Sequence, residues 1–187
     1  MANGETEFYG SINLIKASSV EVIVGSLNDG NNDSIQFIDG DWLSISESVG
    51  APGLDVRINF TDIGNALCGC FQVYHIFLGV AQHDVQIEVW NFTSSSWHLI
   101  GTILFNETIG WECSGLGNTP QHFFSGGELW TRLYHDLSGH PAHEVKLEYV
   151  DLRLIYQEET PPDYSIIFLA IGLIFMLSIA FLYIRNK

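Results

Sequence analysis

The chain has 187 residues, 47% of them hydrophobic, with 22 acidic side chains against 7 basic ones, for a formal charge of −15. A surface this acidic repels phosphate backbones and anionic headgroups, which excludes nucleic-acid partners and peripheral docking on anionic lipid. The length suits one domain able to bury its own core, and the three cysteines leave one unpaired whatever bond they form.

Residues 1–18 carry Glu5 and Glu7 but no basic start followed by an apolar stretch, so no cleavable signal segment is expected there. From residue 19 the pattern is that of short strands. Residues 19–25, 35–38 and 42–47 are apolar or β-branched runs separated by Asn, Asp and Gly. Leu54, Val56, Ile58 and Phe60 then alternate with Asp55, Arg57 and Asn59, the period-two signature of a strand with one buried and one wet face.

Residues 67–80 are apolar on both parities and predict a central strand buried on two sides. Val85, Ile87 and Val89 alternate with Gln86, Glu88 and Trp90, and after the polar turn 91–96 the chain returns through Trp97, which predicts a hairpin. Residues 127–137 and 143–157 make a last strand pair. In the final strand Val145, Leu147 and Tyr149 share one parity and Val150, Leu152 and Leu154 the other, so a bulge is expected between Tyr149 and Val150. Eight or nine short strands with frequent turn residues predict an all-β fold, an antiparallel jelly-roll β-sandwich over residues 19–157.

Candidate chemistry is sparse. Asp29, Asn31 and Asp33 place oxygen ligands at alternate positions, as the first half of a calcium loop does. Ser34 stands where the turn glycine belongs and Gly40 where the bidentate glutamate belongs, so an EF-hand is excluded, and a solvated turn rich in Asx residues is the competing reading. His135, His140 and His143 surround a short Gly-Pro turn and read either as ligands to a transition metal or as packing residues. Cys68 and Cys70 would lie on one strand face about 6.7 Å apart, near the outer limit for a bridge, so a bond between them would be strained; the other readings are that one of them pairs with Cys113 or that all three are buried thiols.

A sugar presents C–H faces to aromatic rings and hydroxyls to amides, carboxylates or guanidinium groups. Trp90 and Trp130 fall on the outward parity of their strands, and Arg132 shares the face of Trp130, so these three are the candidate ligand-binding residues; the alternative is that the rings cover a second apolar layer or a partner subunit. No nucleophile elbow, zincin motif or phosphate loop occurs, and the expectation is a protein that is not an enzyme.

The segment Asp39-Gly40-Asp41-Trp42-Leu43-Ser44-Ile45-Ser46-Glu47, the hairpin VQIEVWNFTSSSW (85–97) and GELWTRLYHDLSGHPAHEVKLEYVDL (127–152) resemble landmarks of galactose-binding-like β-sandwich domains, found in bacterial surface proteins and phage virion proteins. The resemblance covers most of residues 20–156. It implies a jelly-roll sandwich, and its relatives include lectins, enzyme accessory domains and structural modules. It also implies a structural Ca²⁺ as the one cofactor to look for, with Asp29, Asn31 and Asp33 as its ligands, and it favours a packing role for His135 and His143.

Residues 158–164, with Pro161-Pro162, read as a short extended stalk. Ile166 to Ile184 is an apolar run closed by Arg185 and Lys187. At about 1.5 Å per helical residue it reaches the roughly 30 Å of a bilayer's hydrocarbon core, so a transmembrane α-helix over 165–185 and a basic tail 186–187 are expected. All 22 acidic residues precede this run, leaving five basic side chains against them and a charge of −17 on residues 1–164. The tail's basic residues, with sequons at Asn32, Asn59, Asn91 and Asn106, favour a single-pass protein whose head lies outside the cytoplasm, a tail-anchored protein with the reverse arrangement being the alternative. The sequence thus predicts a membrane-anchored binding module at a cell or virion surface, with a glycan or protein ligand. The alternatives are a self-associating assembly subunit with no small ligand and a membrane-bound carbohydrate hydrolase.

Overall fold

A computed structural model describes residues 10–64, 66–78, 84–103, 106–117 and 120–157. The expected stalk, membrane helix and basic tail lie outside the described residues. Among the described residues no helix is long and apolar enough to cross a membrane.

Among the described residues eleven strands form two antiparallel sheets packed as a sandwich. The first sheet contains β1 (Gly10–Lys16), β3 (Ser26–Asp29), β4 (Leu43–Ser46), β6 (Cys68–Leu78), β9 (Asn106–Gly115) and β11 (Glu144–Gln157), in the order β3-β4-β11-β6-β9 with β1 paired to β11. The second contains β2 (Ser19–Val24), β5 (Leu54–Phe60), β7 (Val85–Asn91), β8 (Ser96–Ile103) and β10 (Leu129–His135), in the order β2-β5-β10-β7-β8. Alternation explains the core: Val56, Ile58, Phe60, Ile87, Val89 and Leu133 of the second sheet are fully buried opposite Phe71, Val73, Phe77, Leu147, Leu152 and Leu154 of the first. Each such side chain contributes about 1.5–3 kcal/mol relative to an exposed one. Phe60 and Phe71 meet edge to face at 6.1 Å.

Several expectations need correction. The segments 127–137 and 143–157 do not pair with each other: β10 lies between β5 and β7, and β11 between β4 and β6, so the connection crosses from one sheet to the other. Strand β6 is buried on one face only, with every second residue from Cys68 to Leu78 half-exposed. Residues 35–38 are not a strand. Asn31 caps a short 3-10 helix, Asn32–Ile35, through a reciprocal box in which its side chain accepts from the Asp33 N–H while Ser34 Oγ accepts from its own N–H.

The bulge in β11 sits one residue earlier than expected. Register slips between Leu147 and Tyr149, so Glu148 is the extra residue. It is buried, and its Oε1 accepts the Gly40 N–H at 2.5 Å. That bond ties the loop before β4 onto β11. Finally β1, within the N-terminal segment 1–18, pairs with β11 from Gly10↔Gln157 to Lys16↔Asp151.

Candidate functional site

The outward side of the second sheet gathers the three residues singled out as ligand-binding. Register places Glu21 opposite Arg57, Arg57 opposite Arg132 and Arg132 opposite Glu88, one row across four strands. Two adjacent guanidinium groups repel each other unless an anion is shared. Asp55 supplies it, with Oδ2 at 3.3 Å from Arg57 Nη2 and 3.5 Å from Arg132 Nη1. Glu88 Oε2 lies 2.5 Å from Arg132 Nε.

Arg132 is therefore a saturated group. Its guanidinium carbon lies 3.8 Å from the centre of the Tyr134 ring and 4.6 Å from that of Trp97, and its side chain is only 13% exposed. It braces the face from below. The guanidinium open to solvent is Arg57, 44% exposed.

The next row is aromatic and neutral. Trp130 pairs with Asn59, and Asn59 with Ser19. Trp130 is an exposed ring packed at 5.4 Å against Phe92, its indole N–H donating to Glu128 Oε2 at 3.0 Å. Trp90 and Trp97, paired in the hairpin, meet at 5.2 Å. Between Trp130 and the charged row lies a cavity of about 210 Å³ lined by Ser19, Glu21, Arg57, Ile58, Asn59 and Trp130. Asn59 Oδ1 is buried there without a hydrogen-bond partner among the described residues. A ring wall, an open guanidinium, an amide and a carboxylate around one small depression are the groups a sugar ring needs.

Sequence reasoning named Trp90, Trp130 and Arg132 and did not name Glu21, Arg57, Asn59 or Trp97. The signal for Arg57 and Asn59 was present in the alternation of β5, which puts both on its wet face. What parity could not give is the register that sets them beside Trp130.

Asp29, Asn31 and Asp33, the candidate calcium ligands, run from the end of β3 into the 3-10 helix. Asp29 Oδ1 accepts the Gly30 N–H at 2.9 Å and Asn31 Oδ1 the Asp33 N–H at 2.6 Å, so two of the three side chains are spent on their own loop. Gly30 has φ +81°, and a Cβ there would fall 2.5 Å from the Trp42 carbonyl oxygen, so the loop is pinned against β4. Among the described residues no group of three or more His, Cys, Asp or Glu is placed to hold a metal ion.

His135 and His143 close the two ends of the crossover between β10 and β11. Both are buried with Glu47, whose Oε1 lies 3.0 Å from His135 Nδ1 and whose Oε2 lies 3.0 Å from His143 Nδ1. The His140 backbone N–H donates to Glu47 Oε2 at 2.9 Å. One carboxylate thus holds the loop from three directions. Cys70 and Cys113 form a disulfide between β6 and β9 with a Cα separation of 6.0 Å, and Cys68 is the free thiol.

No family model matches the chain, and no curated protein does. Solved structures do. The CBM22-1 xylan-binding domain from Paenibacillus barcinonensis Xyn10C aligns at TM-score 0.52 and 12% identity over 80% of this chain and 97% of that one. A family 29 carbohydrate-binding module complexed with cellulohexaose aligns at TM-score 0.49 and 9% identity over 77% and 91%. A family 35 carbohydrate-binding module from an environmental isolate aligns at TM-score 0.45 and 13% identity over 80% and 99%. At this identity the likeness is one of architecture: the domain shares the β-sandwich fold of the family 22 module.

Proposed function

We propose that the domain is a non-enzymatic carbohydrate-binding module, using the outward side of β2-β5-β10-β7-β8 as its ligand face and held at a cell or virion membrane by residues 165–185. The observation that carries the reading is the depression between Trp130 and Arg57, where a ring wall stands beside Asn59, Glu21 and Ser19. The charge of −17 on residues 1–164 narrows the ligand to neutral glycans, because an acidic polysaccharide would be repelled. The fold shared with a xylan-binding domain is consistent with that class.

The test is calorimetric titration of the full-length chain, in phosphatidylcholine nanodiscs to avoid sugar-headed detergents, with neutral oligosaccharides such as xylohexaose, cellohexaose and mannohexaose. Saturable binding weakened about tenfold or more by Trp130→Ala supports the reading. Absence of heat with every glycan overturns it. Partition of the full-length chain with lipid vesicles, lost when residues 165–185 are deleted, tests the anchor.

Self-association is the second reading. It is favoured by Ile12 and Leu14, 66% and 57% exposed on β1, which border an apolar groove shared with Cys68 and Ile155. Concentration-dependent sedimentation with no glycan binding would select it.

A further inference from the structure

The outward side of the opposite sheet carries a second aromatic assembly that sequence reasoning did not find. Tyr74 of β6 is in register with Trp111 of β9 on one side and Tyr149 of β11 on the other. Their ring centres lie 4.8 Å (Tyr74 to Trp111) and 5.9 Å (Trp111 to Tyr149) apart, and Trp42, on the loop that Glu148 anchors, stacks on Tyr74 at 6.1 Å. Trp111 is the outermost ring, 47% exposed. Four rings on the outer side of a sheet contribute nothing to the sandwich core, which lies on the other side of the same strands.

One register step along, the same three strands place Cys113, Gln72 and Asp151 side by side. Asp151 is fully buried although it lies on the outward parity of β11, between the core residues Val150 and Leu152. Its Oδ2 accepts the Tyr149 hydroxyl at 3.2 Å, whereas its Oδ1 and the Gln72 Oε1 have no hydrogen-bond partner among the described residues. An acceptor left covered and unpaired carries its full desolvation penalty, which is larger for a charged group. Burial raises the Asp151 carboxyl from its ordinary value, against the opposing pull of Tyr149 and Arg153. Tyr149 is half-exposed, so the hydroxyl that donates to Asp151 belongs to a ring at the surface of this face. Arg153, 47% exposed and with Nε 3.8 Å from Asp151 Oδ2, closes the far end of the row.

We infer that this face is a second carbohydrate-binding surface, in which Trp111 stacks on the C–H face of a neutral sugar and Gln72 and Asp151 accept hydroxyl hydrogen bonds that the protein itself leaves unmade. Two observations select this occupant. The unmade bonds are acceptors, which require a ligand rich in donors beside its apolar face, and hydroxyl groups on a sugar ring meet that need. The overall charge of −17 on residues 1–164 removes anionic ligands from contention. The inference shares with the reading of the Trp130 face only the ligand class. Because the two faces are the outer sides of opposite sheets, one sugar chain cannot lie on both, and a single domain joins two chains.

The experiment is titration of the full-length chain in phosphatidylcholine nanodiscs with xylohexaose, cellohexaose and mannohexaose, comparing Trp111→Ala, Trp130→Ala and the double variant, with thermal unfolding as the control for folding. The expected result is two sites per chain, one site in each single variant and none in the double variant, with Trp111→Phe retaining the second site. Asp151→Asn is expected to weaken only the site lost in Trp111→Ala, by about tenfold, without lowering the melting temperature. If Trp111→Ala leaves stoichiometry and affinity unchanged while Trp130→Ala abolishes binding, the inference is overturned and the Trp130 face stands. If Trp130→Ala changes nothing and Trp111→Ala abolishes a single site, the second face stands and the first reading falls. Loss of self-association or of vesicle partition in Trp111→Ala, with glycan binding intact, would assign the face to a second copy or to lipid and overturn the inference.

Discussion

Arg132 Nε sits 2.5 Å from Glu88 Oε2, and both side chains are about seven-eighths buried beneath the rings of the second sheet. Removing the cation would take the ion pair from buried Glu88 and leave buried Asp55 with Arg57 alone. Arg132→Ala is therefore expected to destabilise the domain by about 3–5 kcal/mol in urea unfolding. The neighbouring Arg57→Ala should cost under about 1 kcal/mol, since that group is largely solvated, while weakening glycan binding. Equal stability losses in the two variants would contradict the assignment of Arg132 as a brace.

His75 lies on the core side of β6, where desolvation pushes its imidazole down from 6.5 to about 4. The unfolded chain takes up this proton below about pH 6.5 and the folded chain refuses it until about pH 4. Its contribution is full above pH 6.5 and is lost as pH falls toward 4, by about 3 kcal/mol in total. Between pH 6.5 and 4 the wild type should lose about 3 kcal/mol of unfolding free energy relative to His75→Leu, so the two curves separate toward the acid end; parallel curves would refute the burial argument.

The Cys70–Cys113 bond closes a sequence separation of 43 residues. Chain entropy then predicts that Cys70→Ser or Cys113→Ser loses about 4 kcal/mol. Cys68→Ser should be near neutral. Mass spectrometry of the alkylated, unreduced protein should show one modified cysteine, and three would exclude the bond.

Glu47 holds the crossover by bonds to His135, His143 and the His140 N–H. Glu47→Ala is expected to cost about 3 kcal/mol or more, because several buried donors lose one acceptor at once. Hydrogen exchange at the His140 amide should accelerate first. Unchanged protection there would show that the loop is held by other contacts.

The strands with one wet and one dry face, β5 and the β7–β8 hairpin, are legible from alternation alone, because each residue's surroundings depend only on its own parity. β1 was not legible: Ile12 and Leu14, its apolar residues, point outward and are exposed, so its pairing with β11 leaves no amphipathic trace. The run 35–38 misleads because the Asn31 and Ser34 side chains satisfy the local backbone in place of a ladder. The bulge moves to Glu148 because that side chain has a task, the Gly40 N–H, which no periodicity records.

The sites follow the same division. Trp90, Trp130 and Arg132 share a face that parity could foresee, whereas Trp42, Tyr74, Trp111 and Tyr149 come from four distant segments and meet only through strand register. The crossover histidines were placed near one another correctly by their turn, but their common partner comes from the end of β4, nearly ninety residues upstream of His135.

The fourteen-residue length of β11 has a mechanical meaning. It is flanked by β6 on one side and by β4 and then β1 on the other, with β1 gripping it as far as Gln157. Tension applied at Gln157 along the strand axis loads these ladders in shear, so their hydrogen bonds resist together instead of parting one at a time.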